Sequence, residues 1–188
     1  MVTLDTTANL ISILGQGGVV ALPTETVYGL AIKYDHPAAL TKLLSIKGRS
    51  LEDTKVFTLI PTSVAQISTF ATIPEQALPL VNQFPTPLTL LLRRNPTFRH
   101  PYYNHFPLIG IRLPDHPLFQ SLPFPIMLTS ANRRGADPLP TAQQIITSLP
   151  ELDAIFPGTP GNQPPSTIIS FADPTTPTTL RQGAFRLK

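Results

Sequence analysis

The placement of proline constrains the fold of this chain more than any other feature. The 188 residues include 23 prolines, roughly twice the usual share of about 5%. Only Pro23 and Pro37 lie before residue 60. Because proline interrupts helices and removes a backbone hydrogen-bond donor, we expect the later two-thirds of the chain to consist of short elements joined by stiff turns.

A polar cluster at residues 23–30 directly follows an apolar run at residues 18–22. The apolar run predicts a buried strand, and the cluster ends it with a proline, two threonines, a glutamate, a tyrosine and a glycine. In open α/β sheets, ligands bind just past the carboxyl ends of strands. Residues 23–30 are therefore the first candidate for a binding site.

The periodicity and the turn signals predict helices interleaved with strands. The predicted helices are 5–14, 37–46, 74–83 and 141–149. The predicted strands are 18–22, 56–60, 88–92, 108–113, 126–128, 153–156, 167–171 and 179–181. Together with a loop at 157–165, this order indicates an α/β or α+β sheet with helical layers.

Several common kinds of site are absent from the sequence. Without cysteine the chain has no disulfide and no thiolate metal site, and its four histidines have no zinc-like spacing. It has no glycine-rich phosphate loop and no serine in a nucleophile-elbow pattern. It also has no signal-peptide pattern and no apolar run of the ~18 residues that a membrane span needs. We therefore expect a soluble, cytoplasmic protein that holds any nucleotide with side chains and scattered amides.

Positive charge is concentrated in one part of the chain. Residues 93–134 contain six arginines and one acid, Asp115, which gives a local charge of +5 in a chain whose net charge is +3. Such a region attracts polyanions or nucleotide phosphates. For Arg93, Arg94 and Arg99, a solubilising surface explains the charge equally well.

Two further cations, Lys47 and Arg49, lie where the second predicted helix gives way to a strand, and Lys55 follows them. Because a single glycine separates them, Lys47 and Arg49 can converge on one anion, with the guanidinium binding phosphate oxygens bidentately. A basic helix C-terminus that satisfies its own dipole is the simpler explanation, and it stays open.

Polar groups near other predicted strands complete the candidates. Residues 129–132 place two hydroxyls and an amide after an apolar strand, which suits a carboxylate, a ribose or a phosphate but also an ordinary turn. Arg112 lies in an apolar strand, where a charge is seldom buried without a partner, and it predicts an anionic ligand. Arg181 is either a cation directed inward or an edge-strand residue that discourages aggregation.

Six short motifs are spread in order along the chain. They are Pro23–Leu30, Lys47-x-Arg49, Gly110–Pro114, Ser130–Asn132, Pro165–Thr167 and Leu180–Gly183. In this order and spacing, over residues 5–185, the chain resembles the YrdC/TsaC family. The resemblance implies a single YrdC-like domain over residues 1–188, with no additional C-terminal domain. It also implies a twisted mixed α/β sheet flanked by helices, with a concave basic face.

The YrdC/TsaC family comprises threonylcarbamoyl-AMP synthases and their YciO-like relatives. The resemblance implies that L-threonine, bicarbonate and ATP give threonylcarbamoyl-AMP and pyrophosphate, for threonylcarbamoyladenosine modification of tRNA by a separate threonylcarbamoyl transferase complex. Bringing a carbamate to the α-phosphate of ATP needs cations and orientation rather than a covalent nucleophile. Mg²⁺ is expected to be held through the ATP phosphates, without a metal site of the protein's own.

By matching motif, the resemblance also implies roles for individual residues. The residues implied to hold threonine are Thr26, Arg112, Ser130 and Ser166. The residues implied to hold ATP are Lys47, Arg49, Lys55, Asn132, Thr141 and Arg181. Lys47 and Arg49 are the implied catalytic residues, and Thr141 serves equally well as the N-cap of its predicted helix.

Two segments depart from the pattern of most family members. Residues 49–60 replace a short Arg-Pro-x-x-Asn/Lys-Pro-Leu stretch, and their Val56–Leu59 part resembles the YciO-like branch. Residues 133–135, Arg-Arg-Gly, stand where most relatives have a small residue and glycine. The alternative hypothesis is therefore a YciO-like protein that binds tRNA or double-stranded RNA through the arginines of residues 93–134, with weak or different carbamoyl-adenylate activity.

Overall fold

The computed structural model describes residues 1–161 and 164–186, and within these ranges ten strands form one sheet. The strands are β1 (Val2–Thr3), β2 (Val20–Leu22), β3 (Gly29–Lys33), β4 (Thr58–Ile60), β5 (Leu88–Arg93), β6 (Leu108–Ile111), β7 (Ile126–Ser130), β8 (Ala154–Ile155), β9 (Thr167–Ser170) and β10 (Thr178–Arg181). The helices are α1 (Thr7–Gly15), α2 (Pro37–Lys47), α3 (Ile67–Phe70), α4 (Leu78–Val81), α5 (Pro117–Gln120) and α6 (Ala142–Ser148). No helix in these ranges combines the length and the hydropathy that crossing a bilayer requires.

The sheet mixes parallel and antiparallel neighbours in the order β1-β8-β2-β3-β7-β4-β6-β5-β9-β10. The pairs β1–β8, β8–β2, β4–β6 and β5–β9 are parallel, and the other neighbouring pairs are antiparallel. This mixed sheet flanked by helices confirms the predicted fold class. Because β7, β4, β6, β5 and β9 are successive neighbours, residues far apart in the sequence lie side by side.

Side chains alternate between the two faces of the sheet, and the two faces are covered differently. In β5, Leu88, Leu90 and Leu92 face the larger core, which contains side chains of α2, α3, α4 and α6. Burying each of these leucines stabilises the fold by about 1.5–3 kcal/mol. A smaller core joins α1 and α5 to β2 and β7 on the opposite face and does not reach β5. Thr89 and Leu91 therefore line an open concavity on that face.

The C-terminus of α2 directs two of the candidate cations differently. Pro37 occupies the first turn of α2, and Gly48, in the left-handed conformation with φ of 59°, ends it. The backbone N–H of Arg49 donates to the carbonyl of Leu44 at 2.9 Å and closes the terminal turn. Lys47 stays on the helix and is buried, whereas Arg49 leaves the helix and lines the concavity.

The patterns in the sequence do not predict β1, β3, α3 and α5. Strand β3 escapes prediction because its first two residues belong to the polar cluster 23–30 and it begins with Gly29, a residue that usually weakens strands. Here a Cβ on Gly29 would lie 2.6 Å from Leu128 Cδ1, so any larger residue at this position would require the side chain of Leu128 to move.

The predicted helix 74–83 is wrong in extent. The segment forms a 3₁₀ turn at Glu75–Ala77 and then the four-residue α4, because Pro79 fits only in the first turn of a new helix. The other predicted helices and strands are present, with ends shifted by at most two residues. The predicted loop 157–165 contains Asn162 and Gln163, which lie outside the described residues, and its described part contains no helix or strand.

Candidate active site

A cavity of about 480 Å³ occupies the uncovered half of the sheet face. Its floor crosses neighbouring strands in register: Thr58 is paired with both Leu128 and Gly110, and Gly110 is paired with Leu91. A Cβ on Gly110 would make only ordinary contacts, 3.4 Å from Leu91 and 3.6 Å from Thr58 and Thr89. The glycine therefore deepens the floor without being required by the packing.

Thr24 organises the loop between β2 and β3, which forms one wall of the cavity. Its hydroxyl donates to the carbonyl of Val27 at 2.7 Å and accepts from the backbone N–H groups of Thr26 and Val27. Because the one hydroxyl proton of Thr24 is used by Val27, the hydroxyl of Thr26 donates to Thr24 over 3.0 Å. Thr26 therefore meets other groups in the cavity as a hydrogen-bond acceptor.

Two glycines allow residues 157–161 to pack against this wall. The hydroxyl of Tyr28 donates to the carbonyl of Gly158 at 2.6 Å, and the N–H of Gly161 donates to the carbonyl of Thr24 at 2.9 Å. A Cβ on Gly161 would lie 1.8 Å from the backbone oxygen of Glu25. Close contact, rather than backbone conformation, thus explains glycine at position 161.

Replacing Gly161 with alanine is expected to lower the free energy of unfolding by about 1–3 kcal/mol, because the backbone of Glu25 must move to admit the methyl group. Gly15→Ala is the matched control, since no atom lies within 4 Å of the position that its Cβ would take and the change stabilises helices by up to about 1 kcal/mol. Urea denaturation measures the free energy of unfolding of both variants. Equal stability of the two variants would contradict this packing.

Arg112 forms a buried ion pair in the cavity wall. Its Nη2 donates to Glu25 Oε1 at 2.6 Å, and the two side chains are only 9% and 11% exposed. The same nitrogen donates to the hydroxyl of Thr26 at 3.1 Å. Arg112 Nε and Glu25 Oε2 are also buried and have no hydrogen-bond partner among the described residues. The sequence predicts an anionic ligand for Arg112, but the structure pairs this arginine with a carboxylate of the chain itself, that of Glu25.

Lys47 is buried behind the cavity and holds the chain that follows β7. Its Nζ donates to the carbonyl of Ser130 at 2.8 Å, to the carbonyl of Asn132 at 2.5 Å and to Asn132 Oδ1 at 2.8 Å. Burial, with Arg49 and Lys55 nearby, lowers the pKa of Lys47 from 10.5 to about 7. The three acceptors oppose this lowering, because they use all three N–H groups of the ammonium form.

Arg49 and Lys55 provide positive charge at the cavity surface. The guanidinium of Arg49 lies over the ring of Phe57, 5.3 Å from its centroid, and its Nη1 donates to the carbonyl of Lys55 at 3.2 Å. Within the described ranges neither side chain has a carboxylate partner within 4.0 Å. Both cations therefore keep their full charge for a ligand.

Ser166 and Arg181 form the opposite part of the wall. The hydroxyls of Ser166 and Thr89 lie 2.8 Å apart, and both residues are buried. Arg181 donates from Nε and Nη2 to the carbonyl of Ser166, at 3.0 and 2.8 Å, and from Nη2 to its hydroxyl. Partial burial of the guanidinium, with Arg112 nearby, lowers the pKa of Arg181. Arg181 is thus directed inward, although its strand lies at the sheet edge.

The cavity brings together most of the residues that the sequence predicts for the site. Those that line it are Thr26, Arg49, Lys55, Arg112, Ser130, Ser166 and Arg181. Lys47 and Asn132 lie outside the lining and contact Ser130. Thr141 also lies outside it and caps α6, where its hydroxyl accepts from the N–H of Gln144. The individual roles of these residues toward threonine and ATP stay predictions.

Three further threonines line the site and escape prediction from the sequence. They are Thr54, Thr58 and Thr89, whereas Thr24 lies within the predicted cluster 23–30. Thr89 carries a usable signal, because it interrupts the apolar strand β5 and is buried there with a hydroxyl that needs a partner. No group of three side chains suited to binding a metal occurs within the described residues.

Comparison of the sequence with models of protein families identifies the family of this chain. The Sua5/YciO/YrdC family model, described as telomere recombination, matches residues 12–183. The chain belongs to this family. A threonylcarbamoyl-AMP synthase of Photobacterium profundum is 32% identical over an alignment of 191 residues that covers 96% of this chain and 100% of the relative. One of Vibrio parahaemolyticus is 33% identical over 190 residues, with the same coverage of both chains.

Solved structures of family members have the same fold. P. abyssi Sua5 complexed with L-threonine matches with a TM-score of 0.82 and 26% identity, over 97% of this chain and 56% of that chain. The present chain therefore spans just over half of that Sua5. E. coli YciO matches with a TM-score of 0.85 and 25% identity, over 99% of this chain and 94% of that chain.

Proposed function

We propose that this protein makes threonylcarbamoyl-AMP and pyrophosphate from L-threonine, bicarbonate and ATP. The observation that carries the proposal is one cavity lined by four cations from three separate segments, namely Arg49 and Lys55 after α2, Arg112 after β6, and Arg181 in β10. The names of relatives that align over 96% of the chain support the same activity.

The reaction consists of two bond-forming steps. The amine of threonine attacks bicarbonate to give a carbamate and water. A carbamate oxygen then attacks the α-phosphorus of ATP, the bond from that phosphorus to the bridging oxygen breaks, and pyrophosphate leaves with the electron pair. Both reactants of the second step are anions, so catalysis depends on orientation and on positive charge at the phosphates.

Different side chains of the site bind threonine and ATP. Arg112 and the hydroxyls of Thr26, Ser130 and Ser166 bind threonine, and these four residues line the cavity. The cations Arg49, Lys55 and Arg181 bind the ATP phosphates and stabilise the charge that develops on them. Lys47 and Asn132 act from behind the lining and hold Ser130 in place.

Mg²⁺ binds in this proposal through the phosphate oxygens of ATP and through water. The two carboxylates close to the site are already engaged in ion pairs: Glu25 is paired with Arg112, and Asp53 is paired with Arg134 at 3.0 Å. Because neither is free to bind Mg²⁺ directly, their pairing supports this proposal. The product passes, in the cytoplasm, to a separate transferase complex that modifies tRNA.

Pyrophosphate release tests the proposed reaction. The purified protein is incubated with ATP, Mg²⁺, L-threonine and bicarbonate, and then with each component omitted in turn. We expect release only with the complete mixture. Release that continues without threonine, or without bicarbonate, would mean that the protein catalyses a different reaction.

Binding of ATP is expected to take up protons through Lys47. The pKa of this ammonium group is about 7 in the free protein, and the phosphates bound by Arg49 and Lys55 raise it. At a pH of about 8 part of the Lys47 population is neutral before binding and becomes protonated on binding, with an uptake of up to about one proton per ATP. Calorimetry in buffers of different ionisation enthalpy measures this number.

Lys47→Arg provides the control, because arginine stays charged at every accessible pH. We expect this variant to bind ATP without proton uptake near pH 8, whereas Lys42→Arg, at a half-exposed position of α2 outside the cavity lining, should behave as the wild type. Equal uptake by the wild type and Lys47→Arg would exclude Lys47 as the group that titrates.

RNA binding is the second candidate function, and the exposed arginines Arg93 and Arg99 favour it. The other arginines of residues 93–134 contribute less. Arg112 lies in the cavity wall, and Arg133 and Arg134 are paired with acids at 2.7 and 3.0 Å. An RNA affinity that falls steeply with salt, without pyrophosphate release, would favour this candidate.

A further inference from the structure

The cations of the cavity differ in how much of their charge is neutralised. Within residues 1–161 and 164–186, Arg112 is the one cavity-lining cation with a carboxylate within 4.0 Å, that of Glu25 at 2.6 Å. Arg49 and Lys55 lie close together without such a partner. The cavity is thus strongly positive near Arg49 and Lys55, whereas Glu25 neutralises the charge of Arg112 and leaves Arg181 as the charged group beside it.

From this contrast we propose that Glu25 is a positioning and specificity-determining residue. It lets the zwitterion of an α-amino acid bind beside Arg112 and keeps the phosphate chain of the nucleotide away from this arginine. The inference rests on the proposed function and assigns a task to a side chain outside the cavity lining. Glu25 acts through Arg112 and through its charge, and it is not a catalytic residue.

The charges of the two substrates explain why a carboxylate serves this purpose. An amino acid carries one carboxylate and one ammonium group, so it is attracted to a neighbouring arginine and glutamate together. A polyphosphate carries several negative charges and only acceptors, so Glu25 repels it. In a partly buried site this repulsion is screened much less than at the surface. An unpaired Arg112 would instead attract phosphate oxygens.

The local structure holds Glu25 in a fixed position beside Arg112. The residues on both sides of it are buried and hydrogen-bonded, with the hydroxyls of Thr24 and Thr26 3.0 Å apart. Gly161 packs directly against the backbone of Glu25 and donates to the carbonyl of Thr24. The carboxylate is therefore preorganised, and little side-chain entropy is lost when it neutralises the guanidinium.

Equilibrium binding of L-threonine and of inorganic pyrophosphate tests the inference without any turnover. Calorimetry measures each ligand alone and threonine in the presence of saturating pyrophosphate. For the wild type we expect both ligands to bind at once, with the Kd of threonine changed less than about twofold by pyrophosphate. Mutual exclusion of the two ligands in the wild type would overturn the inference.

Glu25→Gln keeps the size and the hydrogen-bond acceptor of the side chain but removes its charge. We expect pyrophosphate to bind this variant about tenfold more tightly and threonine about tenfold more weakly, each a change of about 1.4 kcal/mol. We also expect pyrophosphate now to compete with threonine. A loosened structure would weaken both ligands together, so opposite changes identify the role of the charge.

Two further variants complete the test. Glu25→Asp retains the charge and is expected to bind threonine and pyrophosphate with Kd values close to those of the wild type. It serves as the deciding variant should Glu25→Gln not fold. Glu75→Gln, an exposed glutamate away from the cavity, should change neither Kd. The inference would be overturned if both Kd values were unchanged in Glu25→Gln, or if Glu25→Asp bound pyrophosphate more tightly and threonine more weakly than the wild type. Absence of threonine binding by the wild type would overturn the proposed function itself.

Discussion

Replacing Arg112 with methionine is expected to lower the free energy of unfolding by about 3–5 kcal/mol, because it leaves the carboxylate of Glu25 buried without its counter-charge. The ion pair is 2.6 Å long, and both side chains are about nine-tenths buried. The same variant should lose detectable threonine binding. Urea denaturation followed by circular dichroism measures the stability.

Two controls separate burial from ion pairing as such. Arg133→Met breaks an arginine–glutamate pair of nearly equal length, 2.7 Å, whose side chains are 50% and 45% exposed, and it should cost less than about 1 kcal/mol. Adding Glu25→Gln to Arg112→Met removes the unpaired charge and should recover about 2–3 kcal/mol. Equal losses in Arg112→Met and Arg133→Met would show that burial does not strengthen the Arg112–Glu25 pair.

Replacing Arg49 with methionine is expected to lower kcat/KM for threonylcarbamoyl-AMP formation by about 10²–10³, since it removes a cation from the developing charge on the phosphates. The free energy of unfolding should change by less than about 1 kcal/mol. Arg49 is partly exposed, and among the described residues its side chain donates one hydrogen bond, to the carbonyl of Lys55. Initial rates of pyrophosphate release at varied ATP give the ratio.

Arg93 is the matched control for Arg49. It too donates one hydrogen bond to a backbone carbonyl, that of Ala172 at 2.8 Å, but it lies outside the cavity lining. Arg93→Met should therefore keep the full rate of pyrophosphate release. If this variant loses as much activity as Arg49→Met, the effect of Arg49 is one of overall charge and not of position. A loss of RNA affinity confined to Arg93→Met would favour the RNA-binding candidate.

Much of the site follows from local patterns in the sequence. Polar residues after apolar runs indicate strand ends, and the cavity does collect Thr26 and Ser130 from such positions. An arginine in an apolar strand predicts a partner, and Arg112 has one. Side-chain alternation along β5 likewise makes Thr89 recognisable as a residue of the face opposite the leucines.

Other features depend on contacts that no local pattern contains. Whether Lys47 faces a ligand or the protein depends on Asn132, which is 85 residues away in the sequence. The partner of Arg112 proves to be Glu25 only when a loop and a strand separated by 87 residues meet. The need for glycine at position 161 likewise arises from the passage of one loop across another.

Mass spectrometry of the product tests most directly whether the separated cations serve one reaction. The protein is given L-threonine, ATP and bicarbonate, and only the bicarbonate is labelled with heavy carbon. We predict an adenylate whose mass includes threonine and the labelled carbon, formed at similar rates by the wild type and by Arg93→Met and at least about a hundredfold more slowly by Arg49→Met. Pyrophosphate release without this labelled adenylate, or its undiminished formation by Arg49→Met, would contradict the proposal that the cavity joins a threonine carbamate to ATP.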